Sequence, residues 1–87
     1  MTASDIQSIR VALRLNQLQF AQLLGVHPIT VSKWERSLAV PTDYQQAFLS
    51  QFQAAAENKK VPNDLGNLLI VAGVIAVLVL LFQGSKK

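Results

Sequence analysis

The sequence contains few side chains that could take part in covalent catalysis. It has no cysteine, a single histidine, His27, and five scattered acids. An active site needs a nucleophile, a base and a residue that orients them, and this set does not supply all three. One histidine without cysteines is also too little for a metal site. We therefore expect that the chain is not an enzyme and uses no cofactor and no metal.

Polar side chains suited to binding are found instead in a short stretch after Gly25. Thr30, Ser32 and Lys33 are of the types that donate hydrogen bonds to phosphates and base edges. Glycine tolerates positive φ at a helix C-terminus, so Gly25 can join two short helices at a steep angle. Such an arrangement lets the second helix project into a DNA major groove. The stretch thus predicts binding and not catalysis.

Three segments carry a family resemblance. Residues 15–26 (LNQLQFAQLLGV), residues 30–36 (TVSKWER) and Pro41 closely resemble the Cro/C1-type (XRE) helix-turn-helix family. They include its Gln-x-x-x-Ala, Gly-Val, Thr-Val-Ser and Trp-Glu-Arg elements, and the resemblance extends over about residues 5–55. It implies a small all-α domain whose third helix contacts DNA.

The resemblance also implies roles for individual residues. Gln17 matches the position that touches a DNA phosphate, and residues 27–33 match the recognition helix. Arg10 and Glu35 match a buried ion pair that ties the first helix to the third. The residues expected to contact DNA are Gln17, His27, Ile29, Thr30, Ser32, Lys33 and Arg36.

Three departures from the family pattern weaken the DNA interpretation. Pro28 has no donor and Ile29 can at best contact a thymine methyl group, so we expect modest sequence specificity. Ser37 replaces the glycine that usually follows the Glu-Arg pair, which predicts a differently shaped turn. Residues 1–58 are formally neutral and lack the positive charge that supplies most non-specific affinity for DNA.

Four helices are expected to position these residues. The apolar spacing predicts helices over about residues 5–15, 16–25 and 28–36, followed by a fourth helix after Pro41. Their expected N-caps include Ser4, Asn16 and Thr42. The apolar face of the fourth helix is expected to consist of Tyr44, Ala47, Phe48, Phe52 and Ala55.

Charge and composition divide the chain into four parts. The net charge of +3 comes from Lys59, Lys60, Lys86 and Lys87, opposed only by Asp64. We expect a helix-turn-helix domain over residues 1–58, a polar linker over 59–64, an apolar helix over 65–82 and a basic tail over 83–87. Lysines on both sides of an apolar segment are typical of a membrane boundary.

The segment of residues 65–82 has no charged side chain. As one helix it would be about 27 Å long, close to the roughly 30 Å hydrocarbon core of a membrane. We therefore expect a single long apolar helix that spans a membrane and contacts its lipid. Ala72, Gly73 and Ala76 form a small-residue pattern that could pack two such helices into a homo-oligomer. A helix buried in a soluble oligomer and an aggregation-prone strand remain as alternatives.

Two functions from different classes fit this organisation. The first is a membrane-tethered, DNA-binding transcriptional regulator. The second is a membrane-anchored structural or adaptor protein whose helix-turn-helix surface binds another protein or packs into a repeating assembly. Its layout is similar to that of RodZ-like cytoskeletal adaptors. Residues 1–10 lack the features of a secretory signal, so we expect the domain in the cytoplasm, held at the inner membrane.

Overall fold

Six α-helices account for the regular structure of the part of the chain that the structure describes. The computed structural model describes residues 1–58 and 61–83, and this part contains helices and no strand. In chain order the helices are α1 (Ala3–Ala12), α2 (Gln17–Leu24), α3 (Pro28–Glu35), α4 (Asp43–Glu57), α5 (Leu65–Ala72) and α6 (Val74–Gln83). The predicted all-α class is confirmed for the described residues, as are the four helices of the N-terminal region.

Side-chain caps fix the starts of three helices. Thr2, Asn16 and Thr42 each accept a hydrogen bond from the third residue of their helix, whose own side chain bonds back to the cap. These capping boxes satisfy backbone donors that a helix start leaves free. The predicted Ser4 cap was wrong, because Thr2 caps α1 and the helix begins at Ala3. The Thr2 backbone N–H also donates to Asp5 at 2.9 Å, and it holds the pKa of that carboxyl below its usual value.

One apolar core joins the N-terminal helices to the C-terminal pair. It combines side chains of α1 to α4 with side chains of α5 and α6 in a single cluster. Its fully buried large members include Ile6, Leu13, Phe20, Val31, Leu49, Phe52, Leu65, Val77 and Leu81. Both parts of the chain therefore contribute to the same buried volume.

The predicted apolar face of α4 is only partly correct. Phe52 and Ala55 are buried, and Leu49, which was not predicted, is buried beside them. Tyr44 is 80% exposed and Ala47 is also exposed. The Tyr44 ring stacks on Phe48 from outside the core, with 6.5 Å between ring centroids. Helical spacing thus predicted the helix correctly. It could not show which part of the helix is covered by neighbouring elements and which part is exposed.

The prediction of one long apolar helix over residues 65–82 is wrong. Gly73 interrupts it with φ 92° and ψ 168°, a conformation that glycine adopts readily and that a helix does not contain. The break lets both halves bury a face, with Leu65 and Leu69 on α5 and Val77 and Leu81 on α6. The two helices contact each other and α2, and α6 also contacts α4.

The break at Gly73 leaves two short helices in place of one long helix. With 8 and 10 residues, α5 and α6 are about 12 and 15 Å long. Within residues 1–58 and 61–83, no helix has both the length and the apolar character needed to cross a membrane. Ala72 and Ala76 are exposed on opposite sides of Gly73, so the expected packing residues do not share one continuous helix. The expected basic tail begins at Gln83 and otherwise lies outside the described residues.

Candidate nucleic-acid interface

The turn between α2 and α3 is built around Gly25. Its backbone is left-handed, with φ 73° and ψ 29°. The N–H of Val26 donates to the carbonyl of Ala21 at 3.0 Å, which satisfies a backbone acceptor at the end of α2. Pro28 then occupies the first turn of α3, where its fixed φ suits a helix start and its missing N–H is not needed. The chain thus changes direction within three residues.

His27 has a structural task at the start of α3. Its Nδ1 accepts a hydrogen bond from the backbone N–H of Ile29 at 3.2 Å. The imidazole therefore caps the helix, and this leaves Nε2 as its donor. His27 as a whole is exposed.

Two buried residues hold α3, and three exposed residues form its outer face. Val31 and Trp34 are almost fully buried in the core. Ile29, Lys33 and Arg36 are exposed and recur at intervals of four and three residues, so they share one side of the helix. We call these three residues the α3 face. The structure therefore brings together three of the seven residues expected to contact DNA.

The remaining polar residues of α3 border this face. Thr30 and Ser32 are only partly exposed. The Nε of Arg36 donates to the Ser32 hydroxyl at 3.1 Å and to its carbonyl at 3.3 Å. These bonds direct the guanidinium along α3 and leave its two terminal nitrogens for another acceptor.

A hydrogen-bonded ion pair joins α1 to α3. Arg10 Nε lies 2.7 Å from Glu35 Oε2, and its Nη2 donates to Glu35 Oε1 at 3.1 Å. The two side chains are only 15% and 5% exposed. Arg10 Nη1 also donates to the carbonyl of Leu15 at 3.0 Å. The bidentate contact fixes the angle of α3 relative to α1.

Gln17 belongs to the same network. Its Nε2 donates to Glu35 Oε1 at 3.1 Å, although the family resemblance assigned this residue to a DNA phosphate. The side chain is partly buried, so it supports the ion pair in this structure. Sequence reasoning missed this role because the partners are eighteen residues apart, and no local spacing signals the contact.

Residues 16–37, which we call the α2–α3 unit, carry a net positive charge, although residues 1–58 as a whole are formally neutral. Between residues 16 and 37 the only charged side chains are Lys33, Glu35 and Arg36. Arg10, which lies outside this stretch, neutralises Glu35. The two remaining cations lie on the α3 face. A local excess of positive charge is what a phosphate backbone attracts.

The turn that follows α3 has the backbone of a glycine turn. Ser37 adopts φ 62°, which lies in the left-handed region. The sequence predicted a differently shaped turn because serine replaces glycine here. Ser37 nevertheless takes the left-handed φ that glycine favours. For a residue with a Cβ this conformation costs about 1–2 kcal/mol.

Residues 6–43 match the model of a helix-turn-helix family. The match covers less than half of the chain and includes α2, α3, the turn between them and most of α1. It supports the XRE-type helix-turn-helix resemblance that the sequence predicted for this segment. Searches of curated proteins and of solved structures find no match.

Proposed function

We propose that this chain is a DNA-binding helix-turn-helix regulator in which α3 enters the major groove. The observation that carries the proposal is the α3 face. Lys33 and Arg36 are exposed on this face, while the buried Val31 and Trp34 hold the helix on the core. The family match and the geometry of the Gly25 turn support the same orientation. The proposed role is binding, and no catalytic step is part of it.

The chemistry of the α3 face favours modest sequence specificity. Lys33 and Arg36 can contact phosphates or guanine edges, and Ile29 can contact a thymine methyl group. Thr30, Ser32 and the Nε2 of His27 add hydrogen-bonding groups at the border of the face. With only two cations on the α3 face, we expect a single domain to bind weakly, and the slope of log affinity against log salt should be shallow.

A double variant of the α3 face and a control variant outside it test this proposal. The double variant Lys33→Gln/Arg36→Gln should lose duplex binding, measured by fluorescence anisotropy at low salt with random and selected sequences. Arg14→Gln is the control, because Arg14 is an exposed cation that lies outside the α2–α3 unit. All substituted side chains are exposed, so melting temperatures should stay close to that of the wild type. Absence of binding by the wild type would rule out the DNA function, and equal binding by the double variant would rule out binding through the α3 face.

A second surface favours the adaptor function as an alternative. Leu38, Val40 and Tyr44 are exposed in the connection between α3 and α4 and at the start of α4. Exposed apolar and aromatic side chains of this kind are typical of protein-binding surfaces. If the adaptor account holds, Val40→Glu/Tyr44→Ala should abolish association with a purified partner and leave duplex binding unchanged.

The cytoplasmic location of the domain and its attachment to the inner membrane remain proposals. Their motive is the charge-free segment of residues 65–82 between flanking lysines. Fractionation of cells that express the full chain tests the attachment, and protease accessibility of the domain in intact spheroplasts tests its cytoplasmic location. Recovery of the protein away from the membrane fraction would contradict the attachment.

A further inference from the structure

The C-terminal helices retain a large exposed apolar surface after one face has been buried. Ile70, Val71 and Ile75, which flank the break at Gly73, are each between 74% and 77% exposed. We call these three residues the apolar tip. Val79 and Leu80 extend the exposed surface along α6. Burial against α2 and α4 therefore accounts for only one side of the pair.

The composition of this surface indicates what could cover it. Residues 68–82 contain no polar side chain, and the tip has no aromatic ring and no arginine. Protein interfaces rely on hydrogen bonds and on tryptophan, tyrosine or arginine anchors for register and affinity. A lipid surface needs neither, because acyl chains accept any apolar shape. The tip is therefore better suited to lipid than to a protein partner.

The charge of the flanking sequence indicates which lipid. All of the net positive charge of the chain comes from residues 59–87, where four lysines are opposed by one aspartate. Each lysine close to an anionic membrane strengthens binding about fivefold. Two of these lysines precede α5 in the sequence and two follow α6, so charge flanks the apolar pair on both sides.

We propose that the C-terminal helix pair docks on an anionic lipid surface. The apolar tip enters the boundary between headgroups and acyl chains, while the lysines attract anionic headgroups. This interfacial mode requires no continuous helix, and an apolar surface inserts only about 5–10 Å into the boundary region. It is independent of the DNA function, because none of the residues involved lies on α3.

Vesicle sedimentation with the full-length chain tests the proposal. One set of vesicles contains phosphatidylcholine alone, and the other contains equal parts of phosphatidylcholine and phosphatidylglycerol. We expect the wild type to sediment with the mixed vesicles. Its affinity for vesicles of phosphatidylcholine alone should be lower by about tenfold or more, since the lysines then lack anionic partners. Added salt should weaken binding to the mixed vesicles.

Two matched variants show whether vesicle binding depends on the apolar tip or on exposed apolar residues in general. Val71→Glu/Ile75→Glu should reduce binding to the mixed vesicles by about tenfold or more, because carboxylates disfavour the apolar boundary. Val11→Glu/Leu18→Glu, which adds the same two charges at exposed apolar residues of the N-terminal domain, should leave it unchanged. Trp34 fluorescence checks that each variant keeps its core, since this tryptophan is buried.

Three outcomes would overturn the proposal. The first is a wild type that stays in solution with both vesicle types. The second is equal binding to the two vesicle types, or equal binding by the wild type and the tip variant. The third is a wild-type dimer in light scattering that the tip variant dissociates and that shows no vesicle binding, since a second copy would then cover the surface.

Discussion

Helices α2 and α5 are both eight residues long, but their ends are fixed by different means. Asn16 and Gln19 form a capping box at the start of α2, whereas Asp64 makes no side-chain cap bond at the start of α5. What holds α5 in place is the burial of Leu65 and Leu69. Directional side-chain bonds thus fix the helix starts and the α1–α3 contact of the N-terminal domain. The described residues of the C-terminal pair are positioned mainly by apolar burial and by the contacts of the Phe82 ring with Phe48 and Phe52. The two regions should respond differently to substitution.

The largest effect is expected at the ion pair of the N-terminal domain. Arg10→Ala leaves Glu35 without its cation in a position that is only 5% exposed. Breaking a buried pair from one side costs about 3–5 kcal/mol in the free energy of unfolding, whereas an exposed arginine contributes less than about 1 kcal/mol. Urea unfolding of Arg10→Ala and of the control Arg14→Ala measures the difference. Equal stabilities would show that the pair does not hold α1 to α3.

A matched pair of leucines tests whether the two regions share one core. Leu23 on α2 and Leu81 on α6 are both 2% exposed. Truncation of either to alanine should cost about 2–4 kcal/mol in one cooperative transition, because each leaves a cavity in the same cluster. Urea unfolding monitored by Trp34 fluorescence and by circular dichroism provides the measurement. If Leu81→Ala has no effect on the Trp34 transition, the helix pair does not pack on the domain as described.

Two glycines with positive φ, Gly25 and Gly73, allow the turns of the two regions to be compared. Neither Gly25 nor Gly73 has an atom within 4 Å of the position that a Cβ would occupy, so alanine acts through the backbone alone. Gly25 is left-handed, and alanine there should cost about 1–2 kcal/mol. Gly73, with φ 92° and ψ 168°, lies in a region used almost only by glycine, and alanine there should cost about 1–3 kcal/mol.

Thermal unfolding and far-ultraviolet circular dichroism test this comparison together. Gly73→Ala should lower the melting temperature at least as much as Gly25→Ala does. An increase in helix content without loss of stability would mean instead that α5 and α6 join into one helix once the glycine is removed.

The smallest effect is expected at the helix caps. Asn16→Ala removes the capping box of α2 and should cost about 1 kcal/mol, whereas Asp64→Ala removes no cap bond and should cost close to nothing. Chemical denaturation of both variants checks the contrast. A similar loss at the two positions would mean that side-chain capping does not distinguish the regions.

The sequence predicted structure best where local hydrogen bonding sets it. Asn16 and Thr42 as caps, Gly25 as a left-handed end and Pro28 in a first turn were all correct, because each depends on near neighbours alone. The break at Gly73 was missed because residues 68–82 are uniformly apolar, and such a run carries no periodicity that reveals two separate buried faces.

The candidate site shows the same limit. The composition and spacing of α3 predicted which side chains were available, and the family resemblance placed Arg10 and Glu35 together. The contact between Gln17 and Glu35, and the exposure of Tyr44 outside the core, depend on tertiary packing. Helical periodicity does not contain that information.

The salt dependence of DNA binding by the full chain tests the central claim most directly. Log affinity against log salt should fall linearly, and Lys33→Gln should reduce the magnitude of the slope by about one, because one phosphate contact is lost. Arg14→Gln, which removes the same charge outside the α2–α3 unit, should leave the slope at its wild-type value. Equal slopes for the wild type and Lys33→Gln, or an equal reduction in both variants, would contradict binding through the α3 face.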